Sequence, residues 1–223
     1  MITFAQFSER LARGQLKNTA AVDDTNLGEI CPEYEDTILS LTNQGLVDLS
    51  TRFPLITKQI DLTFVDSQYV YQLVQSNVGV FLDDAYTDVF EDNFVRVLDI
   101  WDADGKRHPH DTNGHIMTPV YNSLRFSASK MEELGEKVRI RYQSKHAGID
   151  ADANIDIPPN LETALQLFVA SLYISHMNGP DHSAKGDSYF AAYLRHIGED
   201  EQRNTSSVSE IQEDTRFNDR GFV

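Results

Sequence analysis

The chain has 223 residues, a mass of 25.2 kDa, 40% hydrophobic residues and a formal net charge of -16, which is material for one full domain or two small ones. A pI near 4.7 excludes a protein that grips nucleic acid by its phosphates, because that affinity rests on a basic footprint. The lone Cys31 excludes an internal disulfide framework, and neither a signal-peptide pattern nor an apolar run of membrane-spanning length is present, so a soluble protein assembled in the cytoplasm is expected.

Thr3-Phe4-Ala5-Gln6 has the form of a capping box, and Phe4, Phe7, Leu11 and Leu16 follow at helical steps, predicting a short amphipathic helix over 3–17. Residues 18–33 read as a loop of small and polar residues. A second helix is expected from Pro32 to Phe53, with Tyr34, Ile38, Leu41, Gly45, Leu49 and Phe53 on its stripe and Pro54 ending it. Beyond Pro54 the period changes to two. Ile60, Leu62 and Phe64 alternate with polar neighbours, as do Tyr69, Tyr71 and Leu73, and later Val138, Ile140 and Tyr142. Residues 94–101 form a nearly continuous apolar run that fits a buried strand, 102–105 a turn, and Leu124 with Phe126 one more strand.

After a linker at 150–154 the helical period returns. Pro158-Pro159 suits a helix start, and Leu161, Leu165, Phe168, Leu172 and His176 recur at steps of three and four. Asn178-Gly179-Pro180 breaks that helix, with Gly179 suited to the left-handed cap. Gly186, Tyr189, Phe190, Tyr193 and Ile197 give the next helix a matching face, so 155–198 predicts an antiparallel helical hairpin. Beyond Gly198 the chain is polar and ends in Arg216-Phe217-Asn218-Asp219-Arg220-Gly221-Phe222-Val223, two aromatics and two arginines that read either as an ordinary frayed terminus or as a docking motif. The predicted class is α+β: a helical bundle from 1–59 and 146–198, an inserted antiparallel β domain over 60–145, and an extended C-terminal arm over 199–223.

The densest polar cluster is Asp99, Asp102, Asp104, His108, His110, Asp111 and His115. A calcium loop with its glycine at Gly105 would place Ile100 at the first ligand position, and His108-Pro109-His110 lacks the i, i+4 spacing of a zinc helix. The cluster therefore reads as a hairpin turn and loop, and a ligand- or metal-binding module using loop 102–115 stands as the alternative. His176 reads as a packed core or interface residue rather than a base. Asp181-His182-Ser183 crowds catalytic residue types that sequence neighbours rarely bring face to face, and Cys31 has no histidine near it in sequence. Phosphate-cradling glycine loops are absent. These residues predict neither an enzyme nor a bound cofactor.

The wording of several stretches resembles one family. Residues 155–165 (Ile-Asp-Ile-Pro-Pro-Asn-Leu-Glu-Thr-Ala-Leu), then Val169-Ala170-Ser171, Ser175-His176-Met177, Ala184-Lys185-Gly186 and Tyr189-Phe190, resemble the head-to-tail adaptor proteins of tailed bacteriophages, the head-completion or connector-ring proteins. Thr51-Arg52-Phe53-Pro54-Leu55, residues 98–105, Met117-Thr118-Pro119-Val120-Tyr121-Asn122, residues 140–146 and the closing 218–223 are similar to further pieces of the family, in the same order. The resemblance spans roughly 34–198 plus the tip. It implies a structural protein at the neck of the virion, repeated around a ring of twelve copies between the portal protein and a tail or nozzle protein. DNA would pass through the lumen without specific binding, and no membrane would be involved. It also implies that the arm (Arg216, Phe217, Arg220, Gly221, Phe222 and Val223) reaches the portal.

Overall fold

Thr3 starts the first helix as its residue type dictates: its hydroxyl accepts from the backbone N–H of Gln6, and the Gln6 side chain accepts from the N–H of Thr3. The computed structural model describes residues 2–22, 28–112, 114–177 and 180–203. After a two-residue strand β1 (Ile2–Thr3), α1 spans Phe4–Arg13. It stops short of the expected residue 17 because Gly14 caps it, its N–H donating to the Arg10 carbonyl. Leu16 is nevertheless fully buried, folded back by a hydrogen bond from its N–H to the Leu11 carbonyl. Helix α2 (Pro32–Arg52) has proline at its first position and ends two residues before Pro54.

The β strands follow as β2 (Ile56–Thr63), β3 (Val70–Gln72), β4 (Leu82–Asp83), β5 (Phe94–Trp101), β6 (Arg107–His108), β7 (Ile116–Met117) and β8 (Ser123–Phe126). A short helix α3 (Ala128–Leu134), capped by Ser127, precedes β9 (Lys137–Ser144) and β10 (Asn154–Ile155). Two helices close the described chain, α4 (Pro159–Ser175) and α5 (Pro180–Arg203). The fold is α+β, and every strand pairing is antiparallel. One sheet runs β4-β2-β9-β5-β6, a second β3-β8-β7, and β1 pairs with β10 beside the helices. The break at Asn178-Gly179 and the arm residues Arg216, Phe217, Arg220, Gly221, Phe222 and Val223 lie outside the described residues.

Apolar residues gather into two cores. One is helical, built from α1, α2, α4 and α5 with Ile155 and Ile157; the other lies between the two larger sheets. Ile60, Ile140 and Ile100 stand opposite one another across β2, β9 and β5, all fully buried, and mark the centre of the β core. Phe126 packs edge to face on Phe64 and Tyr71, and Phe81 on Tyr71, at centroid distances of 4.9–6.0 Å, a geometry their ring quadrupoles favour. The hydroxyl of Tyr71 accepts from Val65 N–H and donates to the Gln68 carbonyl, closing the turn in which Ser67 takes φ 62°.

The two cores are joined by one buried amide. Helix α2 ends with backbone carbonyls that have no partner within the helix. Gln143 on β9, fully buried, donates through Nε2 to the carbonyls of Ser50 (2.6 Å), Phe53 (3.0 Å) and Thr51 (3.1 Å). Its Oε1 accepts from Arg96 Nε on β5 at 2.7 Å. Beside it Ser50 Oγ accepts from His146 N–H, and Asn43 both accepts from Ile149 N–H and donates to its carbonyl. Gly148 N–H donates to His146 Nδ1, and burial pushes that imidazole below its ordinary pKa.

The α4–α5 pair is antiparallel: Gly186 meets Ser171 and Ser175, Phe168 packs on Tyr193, and Asn160 bonds Asp200. Three expectations change here. Helix α5 runs to Arg203 instead of ending at Gly198, because Asp200 turns inward and is buried against Asn160. His176 is exposed, since α4 ends at Ser175 and the histidine leaves the apolar stripe. Phe190 is 41% exposed and lies outside the hairpin contact.

Two measurements check this packing. A Cβ on Gly186 would meet the Ser171 carbonyl at 3.0 Å and the Ser175 nitrogen at 3.1 Å, whereas one on Gly198 would meet nothing within 4 Å. Gly186→Ala should therefore destabilise by about 1–3 kcal/mol, and Gly198→Ala should stabilise by roughly 0.5–1 kcal/mol, both read from urea unfolding. Gln143→Leu strands the α2 carbonyls and Arg96 and should cost about 2–4 kcal/mol. In that variant the Trp101 fluorescence transition should separate from the helical circular dichroism transition, where the parent shows one.

Candidate interaction surfaces

Alternation along β9 sends Val138, Ile140 and Tyr142 inward and leaves Lys137, Arg139 and Arg141 on the outer face of the sheet. Register sets Asp61 and Trp101 on either side of Arg139, and Gln59 and Asp99 on either side of Arg141. Arg139 grips Asp61 with two bonds, Nε at 2.7 Å and an outer nitrogen at 3.1 Å, and Lys137 Nζ stands 3.9 Å away. Asp99, whose side chain is 3% exposed, is clamped between Arg107 at 2.5 Å and Arg141. Two carboxylates are thus shared by four cations. The Arg141 guanidinium also lies 5.4 Å from the Trp101 ring centre. An open cleft of about 440 Å³ lies on this face, lined by Gln59, Asp61, Trp101, Lys137, Arg139 and the 102–105 turn.

The polar cluster read from the sequence is dispersed along this end of the sheet, and Asp99, Asp102, His108, Asp111 and His115 are each engaged locally. Asp102 Oδ1 accepts from the N–H groups of Asp104 and Lys106, shaping the β5–β6 turn. Its Oδ2 meets buried His108 Nε2 at 2.8 Å, and that bond holds the Asp102 carboxyl below the usual carboxylate range. Asp111, at φ 56°, accepts from both the N–H and the hydroxyl of Thr118. His115 bonds Ser127 at the cap of α3. Among the described residues no group of three or more His, Cys, Asp or Glu is placed to hold a metal ion. Asp181, His182 and Ser183 follow one another on the first turn of α5, which fans them about 100° apart. Cys31 stands at the N-cap of α2.

The remaining surface is marked by apolar exposure on both units. On the helical side Phe190 and Leu194 lie one turn apart on the outer side of α5. On the β side Val80, Tyr86, Val89, Val120 and Tyr121 are all more than half exposed. A groove of about 410 Å³ runs between residues 95–98 of β5 and His110, Asp111, Thr118 and Tyr121. Among the described residues no helix is long and apolar enough to cross a membrane.

No family model and no curated protein matches the chain.

Sequence reasoning picked out the acidic and histidine residues of this region but not the arginine ladder that organises it. The signal was present: Lys137, Arg139 and Arg141 at period two place three cations on the solvent face of a strand. The electrostatics make a directional prediction. Asp99→Asn releases two arginines that already reach water, 45% and 28% exposed, and should cost under about 1 kcal/mol. Arg141→Leu takes a cation away from a buried carboxylate and should cost more, about 2–4 kcal/mol. Urea unfolding of the two variants side by side checks the order.

Proposed function

We propose that the chain is a structural virion protein, a ring-forming adaptor that joins the portal vertex of a phage capsid to the tail and lets DNA pass. The observation that carries the reading is apolar exposure on two different units of one joined body, Phe190 with Leu194 on α5 and Val120 with Tyr121 in the β unit. A heterologous contact that closes into a ring needs two unlike patches on each copy, so that one patch meets the other on the next copy. The order of sequence pieces supplies the family resemblance, and with it the twelve-fold ring and a location at the neck of the virion.

The charge suits the role. With a net charge of -16, a ring of such chains presents a lumen that repels phosphates, so DNA slides without sticking. Holding the ring in place falls to contacts with neighbours and to the arm. Arg216, Phe217, Arg220 and Phe222 supply charged and aromatic anchors, and a ring of arms gains avidity by raising their effective concentration. The reading assigns the protein no chemical transformation.

Electron micrographs of the purified full chain, alone and mixed with portal rings, test the proposal. Rings in either sample, and a chain ending at Thr215 that no longer binds portal, are the expected results. A monomer in both samples would sink the ring, and undiminished portal binding by the shortened chain would sink the arm.

A further inference from the structure

The two long edges of the five-stranded sheet are finished differently. Beyond β4, the edge of β2 is closed by the following loop. Gln59 N–H donates to Asp88 Oδ2 at 2.8 Å, Asp88 N–H donates to the Gln59 carbonyl, and Lys58 Nζ reaches the Val89 carbonyl and Glu91. On the far side, β6 pairs only with Ile100 and Trp101 of β5. Among the described residues, 94–99 of β5 therefore have no strand on that side. Such an edge is a row of backbone donors and acceptors ready to accept an extended segment. Natural edges of this kind are ordinarily covered or blunted.

The groove beside this edge has the shape and chemistry of an acceptor. Register shifts at 94/96 and 97/99 leave Val95 and Leu98 as extra, half-exposed residues along it. Arg96 spends its Nε on Gln143, and its side chain is otherwise exposed at the groove with His110. Asp111, the acidic residue of the lining, already has both oxygens engaged by Thr118. The balance favours an occupant that brings carboxylates and a few aliphatic groups.

We propose that residues 208–214 of this chain, Val208-Ser209-Glu210-Ile211-Gln212-Glu213-Asp214, add to the 94–99 edge of β5 as an extended strand. Glu210, Glu213 and Asp214 carry the charge that Arg96 calls for, and Val208 and Ile211 are the aliphatic residues of 204–214. Position agrees. The Tyr193 hydroxyl of α5 bonds Asp48 of α2, and one turn further on Gln143 ties the end of α2 to Arg96 of β5. Helix α5 therefore heads toward the end of the sheet where β5 begins. Residues 204–207, at up to about 3.3 Å each, give the segment a reach of roughly 13 Å from Arg203, on the same copy or to the next. This docking would fix the root of the arm and leave Arg216, Phe217, Arg220 and Phe222 projecting past the edge, and it stands whether or not the chain builds a ring.

Hydrogen exchange on three chains tests it: the full chain, one ending at Thr215 and one ending at Arg203. Amides of 94–99 should exchange at least about tenfold more slowly in the first two than in the third, since each pairing bond adds to protection. Equal exchange in all three would overturn the proposal, whether the edge is bare or covered by something else. A second readout uses Leu98→Cys with Glu210→Cys, Ile211→Cys or Gln212→Cys in turn, in a Cys31→Ser background. At least one pair should oxidise faster than Leu98→Cys with Arg220→Cys, within one chain or between two, because paired strands bring Cα atoms to disulfide distance. If no pair outpaces that control, segment 208–214 does not lie on the edge.

Discussion

The architecture depends on the Gln143 side chain. A helix that stops in front of a proline leaves its last carbonyls without partners, and here those of Ser50 and Phe53 are buried against a sheet where water cannot serve them. A neutral primary amide solves this as few side chains can. Its NH₂ group presents two donors to the carbonyls of Ser50, Thr51 and Phe53, and its oxygen takes the Arg96 guanidinium from the opposite side. A glutamate there would set a buried charge against three carbonyl dipoles, and a leucine would leave every partner unpaired. Arg96 adds strength, since a bond from a charged donor is worth roughly twice a neutral one. The helical and β cores thus share a polar seam in place of an apolar one. The seam fixes orientation, because an amide tolerates far less rotation than a greasy contact.

Much of the outline was legible in the sequence. Period two announced β2 and β9, the apolar run announced β5, and the two prolines and the stripe announced α4, because each of these turns apolar residues into one of the two cores. Legibility failed where tertiary structure overrides local pattern. Helix α3 spans only Ala128–Leu134 and buries Leu134 alone, so it carries no periodic stripe to read. Gln143 sits at an outward position of β9 and reads as a solvated residue; only the arrival of α2 makes it the seam. His176 occupied a stripe position by count, but the count stopped mattering once α4 ended a residue earlier. The polar run after Gly198 read as non-helical because nothing local shows that Asp200 faces inward.

The carboxylates of the sheet and those of the loops are satisfied in two different ways. The chain carries a large excess of acid, yet the outer face of its sheet concentrates Lys137, Arg139, Arg141 and Arg107 around two carboxylates. Asp99 is buried, and a buried carboxylate is tolerable only when cations and bonds replace the water it has lost. Sharing it between two arginines supplies that replacement from two strands, so the ion pairs also fasten β6 to β5 and β9. The acids of the loops are used differently. Asp102 and Asp111 point at backbone N–H groups and build turns, work that needs acceptors and no partner charge.

The helical hairpin is closed at both ends by unlike means, and this explains its length. At the turn, Gly186 lets α5 approach the backbone of α4 closely enough that no side chain fits between them. Midway, Tyr193 fills the space with a fully buried ring against Phe168, and its hydroxyl bonds Asp48 on α2; burial and that carboxylate both push its pKa up. At the open end, Asp200 brings a carboxylate to Asn160 in the first turn of α4, where the helix dipole and the unpaired N–H groups favour negative charge, and His196 bonds the Asn160 carbonyl. Helix α5 therefore continues as far as α4 has an N-terminus to offer. Past that point α4 offers no further partner surface. The polar composition of 199–203 is then no sign of a frayed end, because one of its acids is spent in holding the hairpin shut.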